Sequence, residues 1–206
     1  MEPYKVVAGV GVVSALAWLF KSNESDTSLH VINTSEECRK IIGLLRSRCG
    51  KFPVLGFNCE WEQKDSYRKK VALLELACDG GVCALVKLHD MKDIPIELYT
   101  LLKDPSVLKV GFEPHNNAYK LWADYSISVH STLDLSVMAK CCNINYTNNL
   151  AELARELLHH EITKTHLIDS NWNQPILDAD QIMYAAEVAR VSFQLYVKLG
   201  EMIKPR

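Results

Sequence analysis

Two hundred and six residues are enough for one ordinary domain with an appendage and too few for two full domains. With 48% apolar and 23% charged residues, the composition excludes a disordered or low-complexity chain. A formal charge of −2 excludes a global cationic field, so any contact with nucleic acid has to be local.

The chain opens on VVAGVGVVSALAWLF, residues 6–20, an uncharged run between Lys5 and Lys21. Counting Tyr4 and a snorkelling Lys5, residues 4–20 reach the low end of what spans a bilayer, with Trp18 where an interfacial aromatic belongs. Residues 1–21 are therefore read as a retained N-terminal membrane anchor. The main alternative is a cleaved secretory signal, although no convincing small-x-small cleavage site precedes the polar residues. A buried core helix is disfavoured, because the run has no amphipathic face. Short anchors flanked by lysines resemble those of the mitochondrial outer membrane; the endoplasmic reticulum is the alternative address. Residues 22–28 are a polar linker, and residues 29–206 form the folded domain.

Within that domain, 29–32 is a short apolar run. Thr34-Ser35-Glu36-Glu37 then opens a helix with a capping-box pattern that ends near Gly50, with Ile41, Ile42, Leu44 and Leu45 on its inner side. Strands are expected at 54–57, 71–77 and 82–88, with Asp79-Gly80-Gly81 as the hairpin turn between the last two. A short helix over 95–102 precedes a strand at 107–112, a helix at 115–125 and a strand at 128–133. Everything beyond Asp134 reads as helical: 135–142, 149–158 and 178–203. Seven cysteines (Cys38, Cys49, Cys59, Cys78, Cys83, Cys141, Cys142) lack paired metal spacing and read as reduced, mostly buried thiols. The order indicates an α/β fold with a mixed sheet flanked by helices, compatible with a ribonuclease-H-like sheet. No glycine-rich turn follows the first strand, which rules out a dinucleotide-binding fold, and no phosphate-binding loop is present.

Three stretches carry a family resemblance. FPVLGFNCEW (52–61) resembles the strand with the first motif of the ribonuclease D and Werner-type 3′–5′ exonucleases, where apolar residues lead into Asp-x-Glu. VLKVGFEPHNNAYKL (107–121) resembles the second, a strand followed by a helix that presents an Asp. SNWNQPILDADQIMYAAEVARVSFQLY (170–196) resembles the third, a capped helix carrying Tyr-Ala-Ala-x-Asp. The resemblance covers residues 29–203 and implies the ribonuclease-H-like fold. The anchor and Phe-Pro-Val-Leu-Gly resemble the mitochondrially anchored exonuclease-domain branch.

That family uses two Mg²⁺ or Mn²⁺ ions roughly 4 Å apart, held by four carboxylates, to activate water and stabilise the leaving 3′ oxygen. Asp-x-Glu on a strand puts both side chains on one face, and a Tyr one helical turn before the last Asp orients the water. Aligned on these motifs, Asn58 stands for the first Asp, Glu60 is retained, Asn117 stands for the helix Asp and Val188 for the last. Tyr184 is retained. Four anions have become one, and neutral amides do not offset two divalent charges. Glu75 stands where the family usually has Gln. Glu187 and Glu113 are read as solvated rather than as replacement ligands, with His115 beside Glu113 in the loop before Asn117.

Weaker features complete the reading. Arg68-Lys69-Lys70 is a small basic cluster that would track a phosphate backbone, against a solvated turn as the plainer account. His159, His160 and His166 match no metal spacing and read as surface histidines. Trp172 reads as a wedge between the helical tail and the sheet. The expectation is a membrane-anchored, catalytically degenerate exonuclease-fold protein that binds single-stranded nucleic acid or, preferentially, a protein partner. No cofactor is expected. The alternative is an active exonuclease on single-stranded RNA or DNA, with Mg²⁺ or Mn²⁺ in a rearranged site.

The apolar run generates the first prediction. The intact chain should resist carbonate extraction from membranes, while a chain starting at Ser22 should be released; recovery of the intact chain in the soluble fraction contradicts the anchor.

Overall fold

A computed structural model describes residues 28–50, 53–64, 67–144 and 149–203. The expected anchor and most of the linker lie outside the described residues. Among the described residues, no helix is long and apolar enough to cross a membrane.

In chain order the elements are β1 (Leu29–Ile32), α1 (Ser35–Arg48), β2 (Val54–Glu60), β3 (Gln63–Lys64), β4 (Tyr67–Arg68), β5 (Leu73–Ala77) and β6 (Cys83–Lys87). There follow α2 (Ile96–Lys103), β7 (Leu108–Gly111), α3 (Pro114–Tyr125), β8 (Thr132–Asp134), α4 (Leu135–Cys141), α5 (Leu150–Leu158) and α6 (Ala179–Met202). Six strands form one mixed sheet in the order β1-β6-β5-β2-β7-β8, and β3 pairs with β4 in a small separate hairpin. β5 and β6 are antiparallel to their neighbours β2 and β5, while β1–β6, β2–β7 and β7–β8 run parallel.

The sheet is buried on both faces, and the period of two sorts its residues. Leu55, Phe57, Cys59, Leu74, Leu76, Ala84 and Val86 face α1, α2 and α3. Val54, Leu73, Ala77, Cys83, Leu85 and Val110 face α4, α5 and α6, with Trp172 wedged among them as expected. Two capping boxes set the entry of the helices that cover these faces. Thr34 and Glu37 bond each other's backbone amides at the start of α1, and Asp178 and Gln181 do so at the start of α6. α6 packs so closely on β2 that a Cβ on Gly56 would lie 1.9 Å from the Ala189 carbonyl oxygen.

Several boundaries differ from expectation, each for a local reason. The run 29–32 is a strand, because its parallel ladder to β6 supplies partners that four residues cannot find alone. β2 runs three residues further than expected, through Glu60, so that it includes the whole of the first motif. β8 starts only at Thr132: Ser131 takes φ +53°, and the His130 amide bonds the Leu102 carbonyl instead of a ladder partner. The segment between α5 and α6 is not helical throughout. It holds a single 3₁₀ turn at Thr165–Asp169, with αL residues at His159 and Lys164.

The β2–α6 contact fixes where Tyr184 and Val188 stand relative to Glu60. Gly56→Ala should therefore cost about 1–3 kcal/mol or more in urea unfolding, since overpacking here meets backbone rather than a movable side chain. A change within about 0.5 kcal/mol, typical of a surface substitution, would show that α6 does not rest on β2 at this point.

Candidate active site

Asn58 and Glu60 alternate onto the α6 face of β2, as the Asp-x-Glu spacing requires. Directly opposite Asn58 in the antiparallel register stands Glu75 of β5, fully buried. Asn117, on the second turn of α3, reaches in from the side and is also buried. The four side chains make one network. The Asn58 amide nitrogen donates to Glu60 Oε1 at 3.2 Å and to Glu75 Oε2 at 3.1 Å. The Asn58 amide oxygen accepts from the Asn117 amide nitrogen at 3.1 Å. Both donors of Asn58 and its acceptor are thus engaged within the site.

Burial dominates the electrostatics. It pushes the Glu60 carboxyl up to about 8, opposed only by the Asn58 hydrogen bond. It raises Glu75 well above the usual carboxylate range, with Glu60's charge adding to the effect. Burial thus disfavours the charged form of both carboxyls, which makes the site unfavourable for converging negative charge. Glu75 Oε1 is buried without a hydrogen-bond partner among the described residues.

α6 supplies the remaining positions. Tyr184 and Val188 are both buried and stand one turn apart. The Tyr184 ring lies 6.2 Å from that of Trp172, and burial, then Glu60 and Glu75, raise its hydroxyl pKa. Val188 brings no donor atom to the cleft. Glu187 is not solvated as the sequence suggests. It is buried, its Oε1 lies 2.6 Å from His160 Nε2, and burial pushes its pKa up to about 7. His160 is correspondingly half-buried and not a surface residue, with its pKa lowered by desolvation. His159 and His166 are exposed, as are Glu113 and His115. Among the described residues, no group of three or more His, Cys, Asp or Glu side chains converges in a way that would hold a metal ion.

The basic cluster is not a free loop. Arg68 grips Asp124 of α3 bidentately at 2.7 and 2.8 Å, and Asp124 also accepts from the Val71 amide at 2.8 Å. Lys69 and Lys64 both pair with Glu62, at 2.6 and 2.8 Å. Lys70 lies over the Tyr125 ring, 5.6 Å from its centroid. Sequence reasoning noted Glu75 only as a departure from Gln and missed Asp124 and Glu62. A glutamate inside the apolar run VALLELA was the available signal for a buried acid. Its meeting with Asn58 depends on strand register, which one sequence does not display.

The 3′–5′ exonuclease family profile matches residues 29–204. A Drosophila melanogaster relative, exonuclease 3′-5′ domain-containing protein 2, is 35% identical over 217 residues, an alignment covering 98% of this chain and 37% of that protein. The chain thus spans little more than a third of that relative's length. The EXD2 exonuclease domain, in a crystal soaked in Mn, is 32% identical with a TM-score of 0.54, over 85% of this chain and 90% of that one. Escherichia coli ribonuclease D, at 19% identity, shares the fold with a TM-score of 0.74 over 85% of this chain and 45% of its own.

A carboxyl whose native pKa lies above its unfolded value stabilises the fold at low pH, and this stabilisation is lost as pH rises from about 4.5 through the native value. Wild-type melting temperature should therefore fall between pH 5 and about 8 through Glu60 and Glu75. Glu75→Gln should flatten that fall and exceed wild type at the alkaline end. Parallel curves for the two proteins would contradict the buried acid pair.

Proposed function

Because the chain belongs to the 3′–5′ exonuclease family, we propose that it is a member that keeps the substrate-binding fold without the hydrolysis, a membrane-anchored scaffold for single-stranded nucleic acid or for a protein partner. The observation that carries this is the Asn58 amide, whose two N–H groups are committed to Glu60 and Glu75. A neutral amide at this position adds no anionic charge to the set that two divalent ions would need.

The residues present do not fit a pair of divalent ions. Two such charges about 4 Å apart need several hard anionic oxygens between them. Here Asn58 and Asn117 carry no charge, Val188 has no donor atom, and burial disfavours the charged forms of Glu60 and Glu75. Tyr184, placed as the family's water-orienting tyrosine, would act on water that nothing acidifies. The local charge around the hairpin and α3 supports nucleic acid as a ligand. The N-terminal apolar run supports an anchor, with the mitochondrial outer membrane as the proposed address.

One observation favours the second reading, hydrolysis at a rearranged site: Glu75 adds a carboxyl beside Glu60 that the family pattern lacks. A single sample decides between them. Titration of the full chain with Mn²⁺ by calorimetry should give no saturable heat, and an end-labelled single strand should not shorten in the same solution. The combined Asn58→Asp, Asn117→Asp and Val188→Asp variant should regain metal binding, whereas single replacements should not, because ligands of one site act as a unit. Metal-dependent shortening by wild type, lost in Glu60→Ala, returns the protein to the active nucleases.

A further inference from the structure

Five of the seven cysteines are buried, and two of these meet. Cys49 closes the C-terminus of α1, its amide bonded to the Leu45 carbonyl at 3.0 Å. Cys78 follows β5, shares the core layer that contains α1, and opens the tight turn into β6. Its backbone pins that turn twice: its amide donates to the Val82 carbonyl at 3.0 Å, and its carbonyl accepts from the Gly81 amide at 3.1 Å. The turn lies against the end of α1, since a Cβ on Gly80 would sit 3.1 Å from the Arg48 Cβ. Arg48 immediately precedes Cys49, and the Cys49 thiol hydrogen-bonds the Cys78 sulfur.

The Cys78 sulfur sits among donors rather than in hydrocarbon. Besides the Cys49 S–H, the backbone N–H groups of Gly80 and Val82 hydrogen-bond it, so the turn forms a nest around one atom. The Cys49 bond foremost, against burial and aided by those two amides, lowers the Cys78 pKa. The same bond, then burial, raises that of Cys49, which therefore holds its proton. The other buried thiols show the contrast. Burial pushes Cys38 and Cys83 up to about 12 and Cys59 well above the ordinary thiol value, which makes them inert packing groups. The pair also stands nearer the surface. Cys49 and Cys78 are 8% and 4% exposed, against 0–2% for those three, and their neighbours Arg48, Gly50 and Asp79 face water.

We propose that Cys49 and Cys78 are a redox couple, in which Cys78 attacks a small hydroperoxide and Cys49 then closes a disulfide that ties the end of β5 to α1. In the first step the Cys78 thiolate bonds one peroxide oxygen, the O–O bond breaks, and the departing oxygen anion takes a proton from solvent. Cys78 is then a sulfenic acid. In the second step the Cys49 sulfur displaces the Cys78 hydroxyl, which leaves as water with the Cys49 proton, and the S–S bond forms. Two electrons pass from the sulfurs to the peroxide, and a thiol reductant returns them. The couple lies on the face of the sheet away from the acid–amide cleft and is independent of whether that cleft hydrolyses anything. It fastens from behind the strand that carries Glu75.

The test treats the reduced full chain in detergent with a limited excess of hydrogen peroxide, alkylates the remaining thiols after denaturation, and reads each cysteine by tandem mass spectrometry. Fragmentation is required because Cys78 and Cys83 share one tryptic peptide, 71–87. Wild type should yield a Cys49–Cys78 cross-link before Cys38, Cys59 or Cys83 is modified. The melting temperature of the oxidised chain should rise by about 5–10 °C, as expected for closing a loop of about 30 residues, and dithiothreitol should reverse it. Cys49→Ser keeps a hydroxyl to donate but forms no bridge, so dimedone should trap a sulfenic acid at Cys78. Cys78→Ser should show neither the cross-link nor a dimedone adduct on Cys49. Cys141→Ser, at the exposed thiol, should leave the cross-link unchanged. Folded wild type that keeps Cys49 and Cys78 reduced while Cys141 is oxidised would overturn the proposal. So would a cross-link that forms only after urea has unfolded the chain, or a dimedone adduct on Cys49 in Cys78→Ser.

Discussion

The Asn58 amide stands at the centre of this molecule. One neutral side chain on the middle of β2 donates to two buried carboxyls and accepts from a second amide, at distances between 3.1 and 3.2 Å. Replacing a carboxylate by an amide at this position reverses its electrostatic role. An aspartate there would repel Glu60 and Glu75 and require a cation to hold the group together; asparagine holds them by donating, and requires none. The cost appears in the acids themselves, because burial raises both carboxyl pKa values and disfavours their charged forms.

The surrounding fold keeps that network in register. β2 buries its own Leu55 and Phe57 on one face and meets α6 closely at Gly56 on the other, so its alternation cannot slip without moving one set out of place. β5 brings Glu75 opposite Asn58, and α6 brings Tyr184 and Val188 over them. The motif positions are thus brought together by strand register and helix packing. α3 also ties the β3–β4 hairpin to the body of the domain, through the Arg68–Asp124 ion pair.

Much of this was legible in the residues. The period-two alternation of β2, the capping boxes at Thr34 and Asp178, and the Trp172 wedge follow from local rules and stand where those rules put them. So does the pairing of Asn58 with Glu60 on one face. What escaped was set by tertiary register or by burial. Glu75 meets Asn58 only through antiparallel pairing of β2 with β5. Glu187 looks solvent-facing beside the expected cleft residue Val188, yet the loop after α5 folds back so that His160 covers it. Arg68 and Lys69 read as a free basic turn because their partners, Asp124 and Glu62, cannot be chosen from many acids by sequence alone.

The central claim is that a hydrogen-bonded acid–amide network occupies the place of the family's metal centre. The most direct measurement is a pH titration of the glutamate side-chain carboxyl carbons by NMR, run with and without Mg²⁺ and assigned through Glu60→Gln and Glu75→Gln. The account predicts that Glu60 titrates near a pH of about 8, that Glu75 also lies well above the ordinary range, and that Mg²⁺ moves neither. Ordinary carboxylate titration of both, or a saturable Mg²⁺-induced fall in either, would contradict it.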